Sequence, residues 1–353
     1  MTTPNNLPQV ERLNGGQPIL KKVTDHAWEN RVVFNPAAVL VDDQQSLARA
    51  IQALPLDRSV TDRLLEHSAL CFLYYRAQGE PTEAYDHRRS AIGLAVLSPT
   101  LDLLARLDAP VIRPDLPFED LGVEDPRVTR IGDRFFMFYA AYASGKDKNR
   151  IRIACASSTD LVHWEKHGLL NGGVNEVDNK NGMLFPTRVG GKFQLLHRPM
   201  EGENAMMIHR AEANDIFGEW TTTGVFMKPI PDNAFKDVWI GGGAPPILLN
   251  ENAMLVLYHI GKRKFDGQRE YDLGIAVVDP RHPEVIIRRG EPLLRPATPA
   301  ETNGDADLGV NNVVFVCGAY LYHEDLYIPY AGADSVVLGA RIRKEELQRY
   351  LRG

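Results

Sequence analysis

The sequence predicts an all-β fold, a five-bladed β-propeller, and three observations carry that expectation. A hairpin-like pattern recurs five times along the 353 residues. Each copy is followed by further apolar strands with their own turn chemistry. The copies are spaced by roughly sixty residues wherever no insertion intervenes, the period of a four-stranded blade.

Taken in order, the first copy is Phe34-Asn35-Pro36-Ala37-Ala38-Val39-Leu40, whose partner strand, Cys71 to Ala77, lies beyond an insertion. The second runs from Gly122-Val123-Glu124-Asp125-Pro126-Arg127 through a Gly132-Asp133 turn into Arg134 to Tyr139. Strand-like runs joined by such a two-residue turn read as a hairpin. The third joins Leu184 to Val189 and Lys192 to Pro199 across Gly190-Gly191. The fourth joins Gly243-Ala244-Pro245-Pro246-Ile247 to Met254–Gly261, and the fifth joins Asn311–Val316 to Leu326–Ala331. Among the second strand pairs, Ile151 to Ser157 with Asp160 and Trp164 matches Ala205 to Ala211 with Asp215 and Trp220. Ala91 to Leu97 and Tyr271 to Val278 fill the same place with different turns, and the last copy offers only Ser335 to Ile342.

Blades are therefore expected at 31–113, 118–171, 178–230, 236–296 and 305–343, with the first strand of each facing a central channel. The whole chain, 1–353, is expected to form a single catalytic domain. Leu47, Ile51, Leu54, Leu64 and Leu65, spaced amid charge, predict a helical insertion at about 42–68 in the first blade, interrupted at Pro55. The tail from Lys344 predicts a short C-terminal amphipathic helix. A β-sandwich would show a similar strand count without the repeat.

Composition narrows the function classes. With 44% hydrophobic and 24% charged residues the chain has the make-up of an ordinary globular protein. A net charge of -6 leaves no basic footprint, which argues against nucleic acid or an anionic membrane as partner. Cys71, Cys155 and Cys317 are isolated in apolar runs, so buried free thiols in a reducing compartment are expected. The N-terminus is polar, without a signal-like apolar run, and no apolar stretch is long enough to span a membrane. A cytoplasmic protein is expected, or a periplasmic one if a signal peptide has been removed. Gly241-Gly242-Gly243 leads into Ala244-Pro245-Pro246 and not into a helix, so it does not read as a phosphate loop. No zinc-type spacing occurs, and neither metal nor organic cofactor is expected.

The repeat also supplies convergence, because equivalent positions of innermost strands surround one channel mouth. The polar residues at those openings are Asn35, Asp125, Asn181, Asp237 and Asn311-Asn312. The ends of the following strands add Arg76, His197-Arg198, Tyr258-His259 and Asp334. Singly each reads as a strand-end cap. Together, carboxylates, amides, arginines and aromatics make a sugar-binding pocket, and carboxylates there suit glycoside cleavage. Strand alternation predicts that Asp125, and not its neighbour Glu124, faces the channel.

These motifs resemble glycoside hydrolase family 130. The resemblance rests on Gly122-Val123-Glu124-Asp125-Pro126-Arg127, on Ser157 to Glu165, and on Leu184 to Phe193 with His197-Arg198-Pro199. It continues through Gly242-Gly243-Ala244-Pro245-Pro246-Ile247, Tyr258-His259-Ile260-Gly261, and Gly309 to Phe315 with Gly332-Ala333-Asp334. It implies a five-bladed propeller cleaving β-mannosides with inversion, either with inorganic phosphate or with water. By motif position Asp125 is the general acid, acting through a hydroxyl of the bound mannose. Asn35, Arg76 and Asp334 hold that sugar, with Asn312 and His259 nearby, and Lys180 and Arg198 are the phosphate-binding residues if the enzyme is a phosphorylase.

Phosphorylases of the family carry a lysine where this chain has Trp239, which weakens the expected phosphate site. Hydrolysis of β-mannosides in manno-oligosaccharides is therefore the expected activity, with Glu201 or Glu203 as candidate base and Glu176 third. The first alternative is phosphorolysis to α-mannose 1-phosphate. The second is a non-catalytic sugar-binding propeller. A homo-oligomer is left open.

Overall fold

A computed structural model describes residues 7–81, 89–305 and 310–352. The chain is all-β, with five successive antiparallel units. The first comprises β2 (Val32–Val41), β3 (Leu70–Gln78), β4 (Ser90–Leu97) and β5 (Leu103–Arg106), and the second β6 (Gly122–Ile131), β7 (Arg134–Ala143), β8 (Arg150–Ser158) and β9 (Glu165–Leu169). One parallel contact, Ser90 with Gly122, joins these two into a continuous sheet. The third holds β11 (Asn179–Leu184), β12 (Phe193–Pro199), β13 (Ile208–Ala213) and β14 (Glu219–Met227), with the short β10 (Asn171–Gly172) on its edge.

In the fourth unit two short pieces share one neighbour. β15 (Asp237–Gly242) and β16 (Ile247–Asn250) both pair with β17 (Ala253–Arg263), followed by β18 (Arg269–Val278) and β19 (Ile286–Leu294). Pro245 and Pro246 lack the N–H a continuous ladder would need, so the strand breaks there. The fifth unit repeats the division, with β20 (Val314–Phe315) and β21 (Tyr320–Tyr322) on β22 (Asp325–Gly332), then β23 (Val336–Ile342). At this break Gly318 is required: a Cβ there would lie 2.1 Å from the backbone nitrogen of Ala38 in the first unit.

The fifth unit lacks an outer strand of its own. β1 (Glu11–Arg12) supplies it by pairing antiparallel with β23, so the N-terminal segment completes the last unit. Arg12 adds an ion pair to the buried Glu301, which also accepts a bond from the Tyr330 hydroxyl.

The insertion folds as α1 (Gln44–Ala53) and α2 (Arg58–Leu64). Asp43 caps α1 by accepting from the Ser46 amide at 2.9 Å. Leu47, Ala50, Ile51, Leu54 and Leu64 bury into the core shared by the first two units. The insertion leaves β2 at Val41, the end opposite Asn35. A four-residue helix, α3 (Pro299–Thr302), precedes the fifth unit. The tail forms α4 (Lys344–Arg352), with Leu347 and Tyr350 packed on the fourth and fifth units. Among the described residues no helix is long and apolar enough to cross a membrane.

Candidate active site

The first strands share a local device. Asn35, Asp125, Asn181 and Asn312 all have left-handed backbones, with φ of 46°, 51°, 59° and 57°. In the first three units the strand register shifts across that residue. Asn and Asp tolerate this conformation best among residues with a side chain, and a bulge there re-aims side chains. The bulge overturns one sequence expectation. Because it breaks the two-residue alternation, Glu124 and Asp125 do not part to opposite faces: both reach the guanidinium of Arg76. Arg76 Nη2 donates to Glu124 Oε1 at 2.6 Å and Nη1 to Asp125 Oδ1 at 3.3 Å.

Asp125 is 2% exposed and also accepts from Asn35 Nδ2 at 2.7 Å. Burial pushes its carboxyl up, but Arg76, Lys180 and Arg127, with the Asn35 bond, outweigh that and hold it well below the usual carboxylate range. Asp334, another left-handed residue (φ 47°), behaves oppositely. Burial, with Asp125 and Glu124 adding to it against Arg76 and Lys180, raises its carboxyl to about 6. It is half-buried, and no protein hydrogen bond to it is found among the described residues.

Arg127 is a brace. Its guanidinium donates to the carbonyls of Gly243 (2.7 Å), Asp125 (2.9 Å) and Gly242 (2.9 Å), tying the second unit's first strand to the fourth's. Those bonds engage each of its three nitrogens. The expected opening residue of the fourth unit, Asp237, lies exposed and 3.5 Å from Arg263. The bare backbone of the Gly241-Gly242-Gly243 run takes its place: a Cβ on Gly241 would sit 2.7 Å from Asn181 Oδ1 and 2.8 Å from Arg198 Nη1.

Beside the carboxylates lies a group of polar side chains with little to bond. Lys180 and Arg198 are directly opposite each other on β11 and β12, an arrangement of like charges that destabilises a sheet. No carboxylate pairs with either among the described residues. Burial lowers both side chains' affinity for the proton, and Arg198 adds to the effect on Lys180. Arg198 Nε, both side-chain polar atoms of Asn181, and the Trp239 indole nitrogen are buried without a hydrogen-bond partner. Trp239 meets Tyr271 edge to face at 5.5 Å.

The other expected residues lie apart. His259 is wholly buried, with Nε2 2.7 Å from the Val316 carbonyl and its ring stacked on Phe315 at 3.6 Å. Burial, together with Arg127, keeps it neutral. It is a strut between the fourth and fifth units, with no surface to offer a sugar. Asn312 accepts from the Tyr271 amide through its backbone and lines a separate 370 Å³ cavity with Lys262, Asp272 and Arg295. Glu201 is exposed and paired to Lys148, and Glu203 and Glu176 are exposed. None of the three hydrogen-bonds or ion-pairs with Asn35, Arg76 or Asp125. Two neighbours escaped the sequence reading, Tyr271 as part of the cationic group and Glu124 as partner of Arg76, whereas Asn181 was expected at an opening. The repeat contained the signal for Asn181, since it occupies the place of Asn35 and Asp125. No group of three or more His, Cys, Asp or Glu side chains suited to a metal occurs among the described residues.

Comparison with known proteins extends over almost the entire chain. The family model for glycoside hydrolase family 130, described as beta-1,4-mannooligosaccharide phosphorylase, matches residues 59–352. A beta-1,2-mannobiose phosphorylase of Thermoanaerobacter sp. (strain X514) is 31% identical over 341 residues, covering 94% of this chain and 97% of its own. A 1,2-beta-oligomannan phosphorylase of the same organism is 29% identical over 342 residues, covering 96% and 99%. The solved structure of beta-1,2-mannobiose phosphorylase from Listeria innocua, in complex with beta-1,2-mannobiose, superposes with a TM-score of 0.74 at 20% identity, over 97% of this chain and 99% of that one. The chain belongs to glycoside hydrolase family 130.

Proposed function

We propose that the five units are the blades of a propeller forming one catalytic domain, and that the protein is a cytoplasmic β-mannoside phosphorylase. It would split manno-oligosaccharides with inorganic phosphate and release α-mannose 1-phosphate. The observation that carries this reading is the cross-strand pair Lys180 and Arg198, two cations without a carboxylate partner beside Asp125. An anion resolves their repulsion, and phosphate accepts enough hydrogen bonds to use Arg198, Asn181 and Trp239 together. The near full-length relatives point the same way, both being named as phosphorylases, one of mannobiose and one of oligomannan. Against the hydrolysis expected from Trp239, the candidate bases Glu201, Glu203 and Glu176 are exposed.

In this reading Asn35, Arg76 and Asp334 hold the terminal mannose. A phosphate oxygen attacks its anomeric carbon from the side of Lys180 and Arg198. The bond to the leaving oxygen breaks on the opposite face, and that oxygen takes a proton from Asp125 through a mannose hydroxyl. Asp125 must first hold a proton, yet the surrounding cations keep it ionised. A phosphate dianion against Lys180 offsets that positive charge, so the acid becomes competent when the co-substrate arrives.

Hydrolysis is the second reading, favoured by Trp239 in place of a lysine. Incubation with β-1,2- and β-1,4-mannobiose, with and without phosphate, separates the two. Mannose 1-phosphate formed only with phosphate supports phosphorolysis. Free mannose at equal rates in both conditions overturns it, and binding without turnover would leave a sugar-binding propeller.

A further inference from the structure

We propose that the cavity at the outer end of the first unit is a second sugar subsite, which holds the far part of the mannosyl chain leaving the cleaved bond. The enzyme would then prefer chains longer than a disaccharide. This rests on the reading that the channel mouth cleaves β-mannosides.

The cavity lies on the same face of the molecule as Asp125. β3 leaves the site at Arg76 and ends at Gln78, and the next two residues, Gly79 and Glu80, form part of the cavity wall. Three residues of strand place Gly79 about 10 Å from Arg76. Ser90, at the start of β4, links the two places: its hydroxyl accepts from Arg76 Nε at 2.8 Å and from Gln78 Nε2 at 2.9 Å. The volume, 420 Å³, suits a small ligand.

Its walls combine a flat apolar surface with charged hydrogen-bonding groups, the mixture that a pyranose ring with its hydroxyls requires. The Trp28 indole is half-exposed and fixed from behind, stacked on Tyr75 at 6.1 Å with Nε1 donating to the Asp108 carbonyl at 2.8 Å. Arg113 also lines the cavity, is exposed, and its guanidinium has no protein partner among the described residues. Arg89 and Asp115 complete the rim. Gly79 is needed for this wall: a Cβ there would lie 1.8 Å from the Ala27 carbonyl oxygen.

The stereochemistry of inversion selects this cavity over its counterpart on the fourth unit. Nucleophile and leaving group occupy opposite faces of the cleaved sugar. The unpartnered donors belong to the third and fourth units, whereas Asp125 and Arg76 belong to the second and first. The leaving chain therefore passes over the first two units, where Arg113 and Asp115 lie in the connection between them. The cavity of the fourth unit sits on the nucleophile's side, and its charges satisfy each other, Lys262 lying 2.7 Å and Arg295 3.6 Å from Asp272.

The test compares kcat/KM for mannobiose, mannotriose and mannotetraose of one linkage, with phosphate, in the wild type and in Arg113→Ala, Trp28→Phe and Ala27→Trp, the last filling the cavity. Binding of the same sugars to each protein is measured in parallel by calorimetry. The wild type is expected to favour the tetraose over the biose by at least about fivefold. Arg113→Ala and Ala27→Trp are expected to bring that ratio to within about twofold, in turnover and in binding. A ratio near one in the wild type, or one that all three variants leave unchanged, overturns the subsite. Loss of phosphate dependence with the chain-length ratio intact instead overturns the reaction and keeps the subsite.

Discussion

The two halves of the site are built on opposite principles. On the side of the first two units every charge has its complement: Arg76 is shared by Glu124 and Asp125, and Asn35 also donates to Asp125. On the side of the third and fourth units Lys180 faces Arg198, and Asn181, Arg198 and Trp239 bury polar atoms without partners. In the first half folding alone brings the opposite charges together, although Asn35 Oδ1 there is also buried without a partner. The second is finished by an anion, and until then it costs stability.

Substitutions should separate the halves. The largest expected effect is on chemistry: Asp125→Asn should lower kcat/KM by about 10²–10⁴-fold, the usual worth of a general acid. Steady-state rates on a mannobiose check it, with circular dichroism confirming the fold. Arg76→Met, which strands two buried carboxylates, should destabilise by about 3–5 kcal/mol, read from denaturant unfolding. Lys180→Met should do the reverse. Relief of the cross-strand repulsion raises the melting temperature by a degree or more, while the KM for phosphate rises by about 10-fold or more. A Lys180→Met protein that melts lower than the wild type would break the contrast.

A smaller effect concerns pH. Asp334 is raised to about 6 in the folded chain against an ordinary value near 3.9, so the native state binds the extra proton between those values. The associated stability is present below pH ~4 and is lost as pH rises through about 6. Asp334→Asn, which cannot ionise, should therefore melt slightly higher than the wild type at pH 7–8 and match it at pH ~4. The increment is modest because the side chain is half-buried. Smallest of all, Glu201→Gln should change phosphorolysis by less than about twofold, since Glu201 is an exposed partner of Lys148. A loss of about 100-fold would restore Glu201 as a base and hydrolysis with it.

Much of this was legible in the amino-acid sequence because the repeat writes the same residue type at the same place. Asn35, Asp125 and Asn181 were found as equivalent openings, and the structure makes them equivalent in backbone conformation too. What escaped detection depends on three-dimensional detail that period counting does not carry. A bulge cancels alternation locally, so Glu124 joined Asp125 on Arg76. The fourth unit uses bare glycine backbone where a polar side chain was sought, and Asp237 was misplaced for that reason. His259 lies beside the right strand end, but its ring turns onto the Val316 backbone. The fifth unit's missing strand comes from Glu11 and Arg12, too short a segment to register as a strand. The hydrolytic expectation rests on one position, Trp239, whereas the facing of Lys180 and Arg198 without a carboxylate partner depends on strand register.

Phosphate binding to the unliganded protein tests the central claim most directly. Calorimetric titration at pH 8, where phosphate is a dianion, should show saturable binding to the wild type. Arg198→Ala should abolish that binding. Absence of saturable binding to the wild type, or binding that Arg198→Ala leaves unchanged, would contradict the account.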